Sequence, residues 1–182
     1  PEGLFLDWDM LTVYDAATNR EARLFDEVLA CLDARYGVDK TRIHTVGFSA
    51  GGVFSDLLAI MRGDVLASVV TFSGGYLSNP ANDTGFNVTW PSVTSKNAYP
   101  QVILSGGLND QWGMPGVMIK FEAMGDADTP MLNAAGHDVI RCKHGKGHTI
   151  PSTFDAPQIV EFLKAHPKGT VDSPYASGLP AD

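Results

Sequence analysis

Gly47-Phe48-Ser49-Ala50-Gly51 is a G-x-S-x-G pentapeptide lying between a β-branched run and a helical pattern. That context is what the motif requires: a serine on a sharp strand-to-helix turn, its hydroxyl raised above a sheet. Ser49 is the candidate nucleophile, and the missing Cβ atoms of Gly47 and Gly51 are expected to let strand and helix approach closely. The Ala50 N–H, at the helix N-terminus, is the candidate oxyanion donor. A serine of this kind needs a base, and the base needs an acid to orient it. In a strand–turn–helix architecture these follow in the order Ser, Asp or Glu, His. Asp110 comes just after the run VILS (102–105) and is the candidate acid; Asp126, Asp128 and Asp138 are less well placed. His148, in the loop Gly145-Lys146-Gly147-His148-Thr149, is the candidate base, with His144 as the second choice.

The elements that must position these groups follow from periodicity. Leu24, Phe25, Val28, Leu29, Leu32 and Tyr36 recur at helical spacing, so 20–36 reads as a helix stopped by Gly37. RIHTVGF (42–48) reads as a strand and 51–62 as a helix, with Val53, Leu57, Leu58 and Met61 on one face. Further strands are expected at 65–72, 102–105 and 138–142. Helices are expected at about 115–124 and onward from there, and at 156–165, the latter with Pro157 in its first turn. Residues 76–99 read as one long loop, and long loops in compact domains tend to carry function. Strands alternating with helices imply an α/β fold, a three-layer sandwich with a mostly parallel sheet. The domain is expected over 1–166, followed by an extended tail over 167–182.

Bulk properties set the frame. The chain has 182 residues, 44% hydrophobic and 19% charged, enough for one domain with a real core. Its net charge of −8 repels phosphate backbones and anionic lipid, so nucleic acid is not an expected partner. No run approaches the ~18 apolar residues of a membrane span. Cys31 and Cys142 read as two buried free thiols, with one disulfide between them as the alternative. Cys142, His144 and His148 are close in sequence, but Gly145 and Gly147 make the intervening segment a loop, so no metal and no other cofactor is expected. His44 reads as a packed strand residue, and His137 and His166 as surface turns. Trp8 and Tyr14 lie in an acidic, loop-like N-terminal segment. Phe48, Tyr76, Trp90 and Trp112 are candidate substrate-binding aromatics; Phe86 and Tyr99 share the long loop with Tyr76 and Trp90, and Trp112 lies beside Asp110.

The stretch 36–52 (YGVDKTRIHTVGFSAGG) resembles the nucleophile region of polyhydroxybutyrate-depolymerase-like and feruloyl-esterase-like carboxylesterases of the α/β-hydrolase superfamily. Gly147-His148-Thr149-Ile150-Pro151 is similar to the segment carrying that family's catalytic histidine, and 107–110 sits where the family keeps its acid. The resemblance covers about 20–166. It implies a secreted or periplasmic serine esterase acting on aryl esters, acetylated or feruloylated polysaccharide, or short polyester chains. It also implies that these residues are the C-terminal half of the fold, because only 48 residues precede Ser49 and a βαβ unit alone takes ~30. The first half of the sheet, and the loop giving a second oxyanion N–H, would then come from a second chain or a further segment completing the sheet. Strand 42–48 would otherwise expose an apolar edge. No signal peptide is present, but the chain starts at Pro1 and reads as processed, trimmed or cut from something longer. Two other readings share the same elbow: a serine peptidase of the prolyl-oligopeptidase kind, and a non-catalytic binding domain.

Overall fold

The computed structural model describes residues 8–10, 17–86, 88–94, 98–154, 156–170 and 173–175; Tyr14 and the last residues of the tail lie outside them. Along the chain run α1 (Arg20–Tyr36), β1 (His44–Phe48), α2 (Ala50–Arg62), β2 (Ser68–Phe72), β3 (Gln101–Ser105), β4 (Gln111–Met114), β5 (Val117–Lys120), α3 (Phe121–Ala134), β6 (Val139–Lys143) and α4 (Ala156–Ala165). Strands β1, β2, β3 and β6 form one parallel sheet in that order. The two middle strands, SVVTF and QVILS, are buried throughout, as expected of strands covered on both faces.

Alternation along those strands divides the core in two. Val69 and Ile103 face α2 and α3 with Leu57, Phe121, Met124 and Leu132. Val70, Phe72, Val102 and Leu104 face the other way and pack with Phe154, Phe162 and the α4 residues Ile159 and Leu163. The sheet thus has helices on both faces, which makes three layers.

The helix expected at about 115–124 and onward runs instead from Phe121 to Ala134, and its expected first residues are not helical. Gln111–Met114 and Val117–Lys120 pair as an antiparallel hairpin, and the helix starts only at Phe121. The turn is Pro115-Gly116 with Gly116 at φ 84°, the residue pair and sign of a type II turn. Pro130 lies inside α3 and has no N–H to give the helix; beside it the Thr129 hydroxyl bonds the Gly125 carbonyl at 2.7 Å.

Burial also departs from the periodic reading in α1. Phe25 and Leu29 pack on the core, but Leu24, Val28, Leu32 and Tyr36 are exposed, and so is Cys31. The cause is that β1 ends the sheet on this side, so no described element lies beyond the helix's outer face. Val46 of β1 is likewise exposed. Both thiols are free; Cys142 is half-buried and burial pushes its thiol pKa up.

His44 is half-buried in its strand, with Nδ1 2.8 Å from the Ser68 hydroxyl. His137 and His166, read as surface turns, are buried. His137 Nδ1 accepts the Tyr99 N–H at 3.2 Å while Nε2 donates to the Thr94 carbonyl. His166 bridges the Phe162 carbonyl and the Ser173 hydroxyl, both at 2.6 Å. Both rings have a polar partner at each nitrogen, as buried polar side chains generally do, and burial lowers the pKa of both. No helix among the described residues is long and apolar enough to cross a membrane.

Candidate active site

The chain leaves β1 at Phe48 and enters α2 at Ala50, turning through Ser49 at φ 55° and ψ −123°. A non-glycine residue there is strained, and strain of this kind concentrates at functional sites. Gly47 permits the turn: a Cβ on it would lie 2.1 Å from the Gly51 carbonyl oxygen and 2.6 Å from Ser55 Oγ. Gly51 does not share that role, because its own missing Cβ faces open space. The second close approach is at Gly52, where a Cβ would lie 3.0 Å from the Phe72 carbonyl oxygen and 3.1 Å from Gly74 Cα. The Ser49 side chain makes no capping bond to α2 and instead meets His148 Nε2 at 2.9 Å.

His148 Nδ1 lies 2.7 Å from Asp110 Oδ1. A carboxylate only accepts, so Nδ1 carries the proton and the Nε2 lone pair faces the Ser49 hydroxyl. Asp110 is 1% exposed, and its second oxygen accepts the Gly106 N–H at 2.7 Å and the Ser73 hydroxyl at 2.9 Å. The imidazole is held between two rings: Phe121 stacks on it at 4.9 Å and 13°, and Phe48 tilts against it at 4.8 Å. Three loops at the carboxyl ends of β1, β3 and β6 therefore bring Ser49, Asp110 and His148 together. That end of a parallel sheet is where ligands bind in open α/β folds.

The other acids and bases weighed from the sequence lie elsewhere. Asp126 pairs with Arg141 and Lys143. Asp128 anchors the long loop, accepting from Tyr76 N, Asn79 Nδ2 and Asn82 Nδ2. Asp138 precedes β6, at the opposite end of the sheet from Ser49. His144 accepts the Lys146 N–H through Nδ1, and burial lowers its pKa. Among the described residues, no three His, Cys, Asp or Glu side chains converge as a metal site would need.

A cavity of about 110 Å³ opens beside Ser49 and Ala50, walled by Met10, Val53, Leu77, Trp112, Ile119 and Phe121. Ala50 is the first residue of α2, so its N–H has no intrahelical acceptor and is free to serve a ligand there. Of the four aromatics named from the sequence, Trp112 lines this cavity and Phe48 lies on His148. Tyr76 and Trp90 do not reach it. Tyr76 is buried with its hydroxyl donating to Gln101 Oε1, and Trp90 donates to the Met10 carbonyl. Sequence reasoning missed Met10, Leu77 and Ile119, whose types carry no signal of a site. It also missed Ser73, whose only mark was its place before Gly74-Gly75. A larger cavity of about 400 Å³ lies between β6, residues 144–154 and α4. It touches none of Ser49, Asp110 and His148, so the smaller one is the cavity that matters for chemistry at Ser49.

No protein-family model matches this sequence, and no curated protein does. Solved structures match the fold. The sOPH structure superposes with a TM-score of 0.69 at 18% identity, over 92% of this chain and 58% of that one. The pOPH structure gives 0.62 at 18% identity, over 82% and 54%. Esterase PE8 gives 0.53 at 21% identity, over 72% and 54%. A variant of pOPH is also solved in complex with pNPB. The fold is of the α/β-hydrolase type, and the chain spans less than two thirds of the length of each of these proteins.

Proposed function

We propose that the protein is a serine hydrolase of carboxylic esters, with Ser49 as nucleophile, His148 as base and Asp110 as the orienting acid. The observation that carries this reading is the unbroken chain of contacts from Ser49 Oγ to His148 Nε2 at 2.9 Å and from His148 Nδ1 to Asp110 at 2.7 Å. Side chains 99 and 38 positions apart in sequence meet in the order and geometry of nucleophilic catalysis. His148 takes the Ser49 proton as Oγ attacks the ester carbonyl. Asp110 keeps the proton of the imidazole on Nδ1 and stabilises the imidazolium that forms. The Ala50 N–H and the start of α2 stabilise the tetrahedral oxyanion. His148 returns its proton to the departing alcohol, and water, activated by the same histidine, releases the acyl group from Ser49.

The cavity at Ser49 is small and mostly apolar, which supports a short acyl group: an acetyl ester or the hydroxyacyl unit of a short polyester. The likeness to a named esterase and to pOPH, solved with pNPB, supports the same class. Feruloyl and other aryl esters stay within the reading if the aromatic group lies on the open side of Trp112.

The test is to incubate the protein with a fluorophosphonate and with short p-nitrophenyl esters, beside Ser49→Ala and His148→Ala. The expected result is an adduct on Ser49 and turnover lost in both variants. A folded sample that takes no adduct, or one whose turnover survives Ser49→Ala, overturns the reading.

A further inference from the structure

We infer that Ser73 is a positioning residue for the Asp110–His148 pair, a fourth member of the hydrogen-bonded chain that starts at Ser49. The inference rests on the serine-hydrolase reading and adds to it. Asp110 divides its acceptor capacity. Oδ1 faces His148, while Oδ2 takes two donors, the Gly106 N–H at 2.7 Å and the Ser73 hydroxyl at 2.9 Å. Those donors come from the ends of two neighbouring strands, β3 and β2. One donor leaves a carboxylate free to swing about its Cβ–Cγ bond. Two donors fixed on separate strands hold its plane and aim Oδ1 at the imidazole.

Ser73 is built for this place. Its backbone lies at φ 51°, in the left-handed region, and its N–H continues the sheet by donating to the Leu104 carbonyl at 2.8 Å. Glycine would satisfy that backbone without strain, yet a serine stands there. Its hydroxyl points into the site, because a carboxylate oxygen accepts and the Ser73 proton is the only one between the two oxygens. Ser73 and Asp110 are each 1% exposed, so water is not at hand to replace the hydroxyl if it is removed.

Two variants separate the hydroxyl from the backbone. Ser73→Ala removes the donor and keeps the strain; Ser73→Gly removes the donor and relieves the strain. We expect both to lose about tenfold in kcat with little change in KM, the size of one lost hydrogen bond to a charged group. We expect Ser73→Gly to unfold at a higher temperature than Ser73→Ala. The His148 Nδ1 proton, bonded to a carboxylate, gives a far-downfield proton NMR line that His148→Ala assigns. This line needs no turnover, and it should shift or broaden in both Ser73 variants. Wild-type kcat in Ser73→Gly would reduce Ser73 to a backbone role, and an unmoved line in both variants overturns the inference outright. If no such line exists in the unaltered protein, Ser73 has no hydrogen-bonded pair to position and the inference falls. Turnover that survives Ser49→Ala sinks the hydrolase reading instead, while the NMR line still decides whether Ser73 holds Asp110.

Discussion

The Gly147 N–H donates to the Gly106 carbonyl at 2.7 Å, and a Cβ on Gly106 would lie 1.8 Å from the Gly147 carbonyl oxygen. These two residues seam the loop that carries Asp110 to the loop that carries His148. Backbone stands against backbone here, so no side chain can rotate away to make room. Gly106→Ala should therefore push the loops apart, lengthen the Asp110–His148 contact, and cost about 1–3 kcal/mol as an overpacking change. Denaturant unfolding gives the stability and fluorophosphonate labelling of Ser49 gives the site. A variant that matches the unaltered protein in both would show that the seam is not tight.

The strain at Ser49 makes a second prediction. The residue sits at φ 55° and ψ −123°, and its side chain makes no capping bond. Ser49→Ala and Ser49→Gly both lose the hydroxyl, but only glycine accepts that backbone freely. Ser49→Gly should be more stable than Ser49→Ala by about 1–3 kcal/mol. Thermal or urea unfolding of the two variants measures it, and equal midpoints would mean that the turn is unstrained.

The cavity wall predicts selectivity. Trp112 stands on the β4–β5 hairpin and closes one side of a space of about 110 Å³. Trp112→Ala should raise kcat/KM for long-chain p-nitrophenyl esters relative to acetate, by about tenfold or more. A chain-length profile unchanged by the substitution would place the acyl group elsewhere.

Stability should also depend on pH through Asp128. Burial raises its pKa from 3.8 to about 6, even though three N–H donors pull the other way. The folded state then holds the proton more tightly than the unfolded state does. The resulting stability is fully present below about pH 4 and is lost as the pH rises to about 6, a change of roughly 3 kcal/mol. Burial pushes the neighbouring Asp56 up as well, with the same sign. Asp128→Asn should remove its own share of this slope and leave that of Asp56, at the expense of the bonds that hold Tyr76, Asn79 and Asn82. Urea midpoints at about pH 4 and about pH 7 for both proteins test it. A variant as pH-sensitive as the unaltered chain would assign the slope to other groups. Asp26, lowered by its bond to Arg62, has the opposite sign but is exposed and contributes little.

What the sequence determined by itself was local. The pentapeptide around Ser49, between a β-branched run and a helical period, defines an elbow because strand, turn and helix are contiguous in the chain. The order of Asp110 and His148 after it, each in a loop past a strand, follows from the alternation of elements. The tertiary structure decided what depends on distant neighbours. The outer stripe of α1 is apolar at the right period, yet it is exposed because, among the described residues, no element lies beyond β1 to cover it. Tyr76 and Trp90 look like pocket aromatics in a loop, but buried partners at Gln101 and Met10 make them packing. Pro115-Gly116 is a turn signal for the hairpin at 111–120, and the helical expectation over that stretch did not use it. The Ser73–Asp110 contact and the Gly106–Gly147 seam are not written in residue type or spacing. Each is a contact between residues about forty positions apart, and a one-dimensional pattern records only the period of its own segment, not what folds against it.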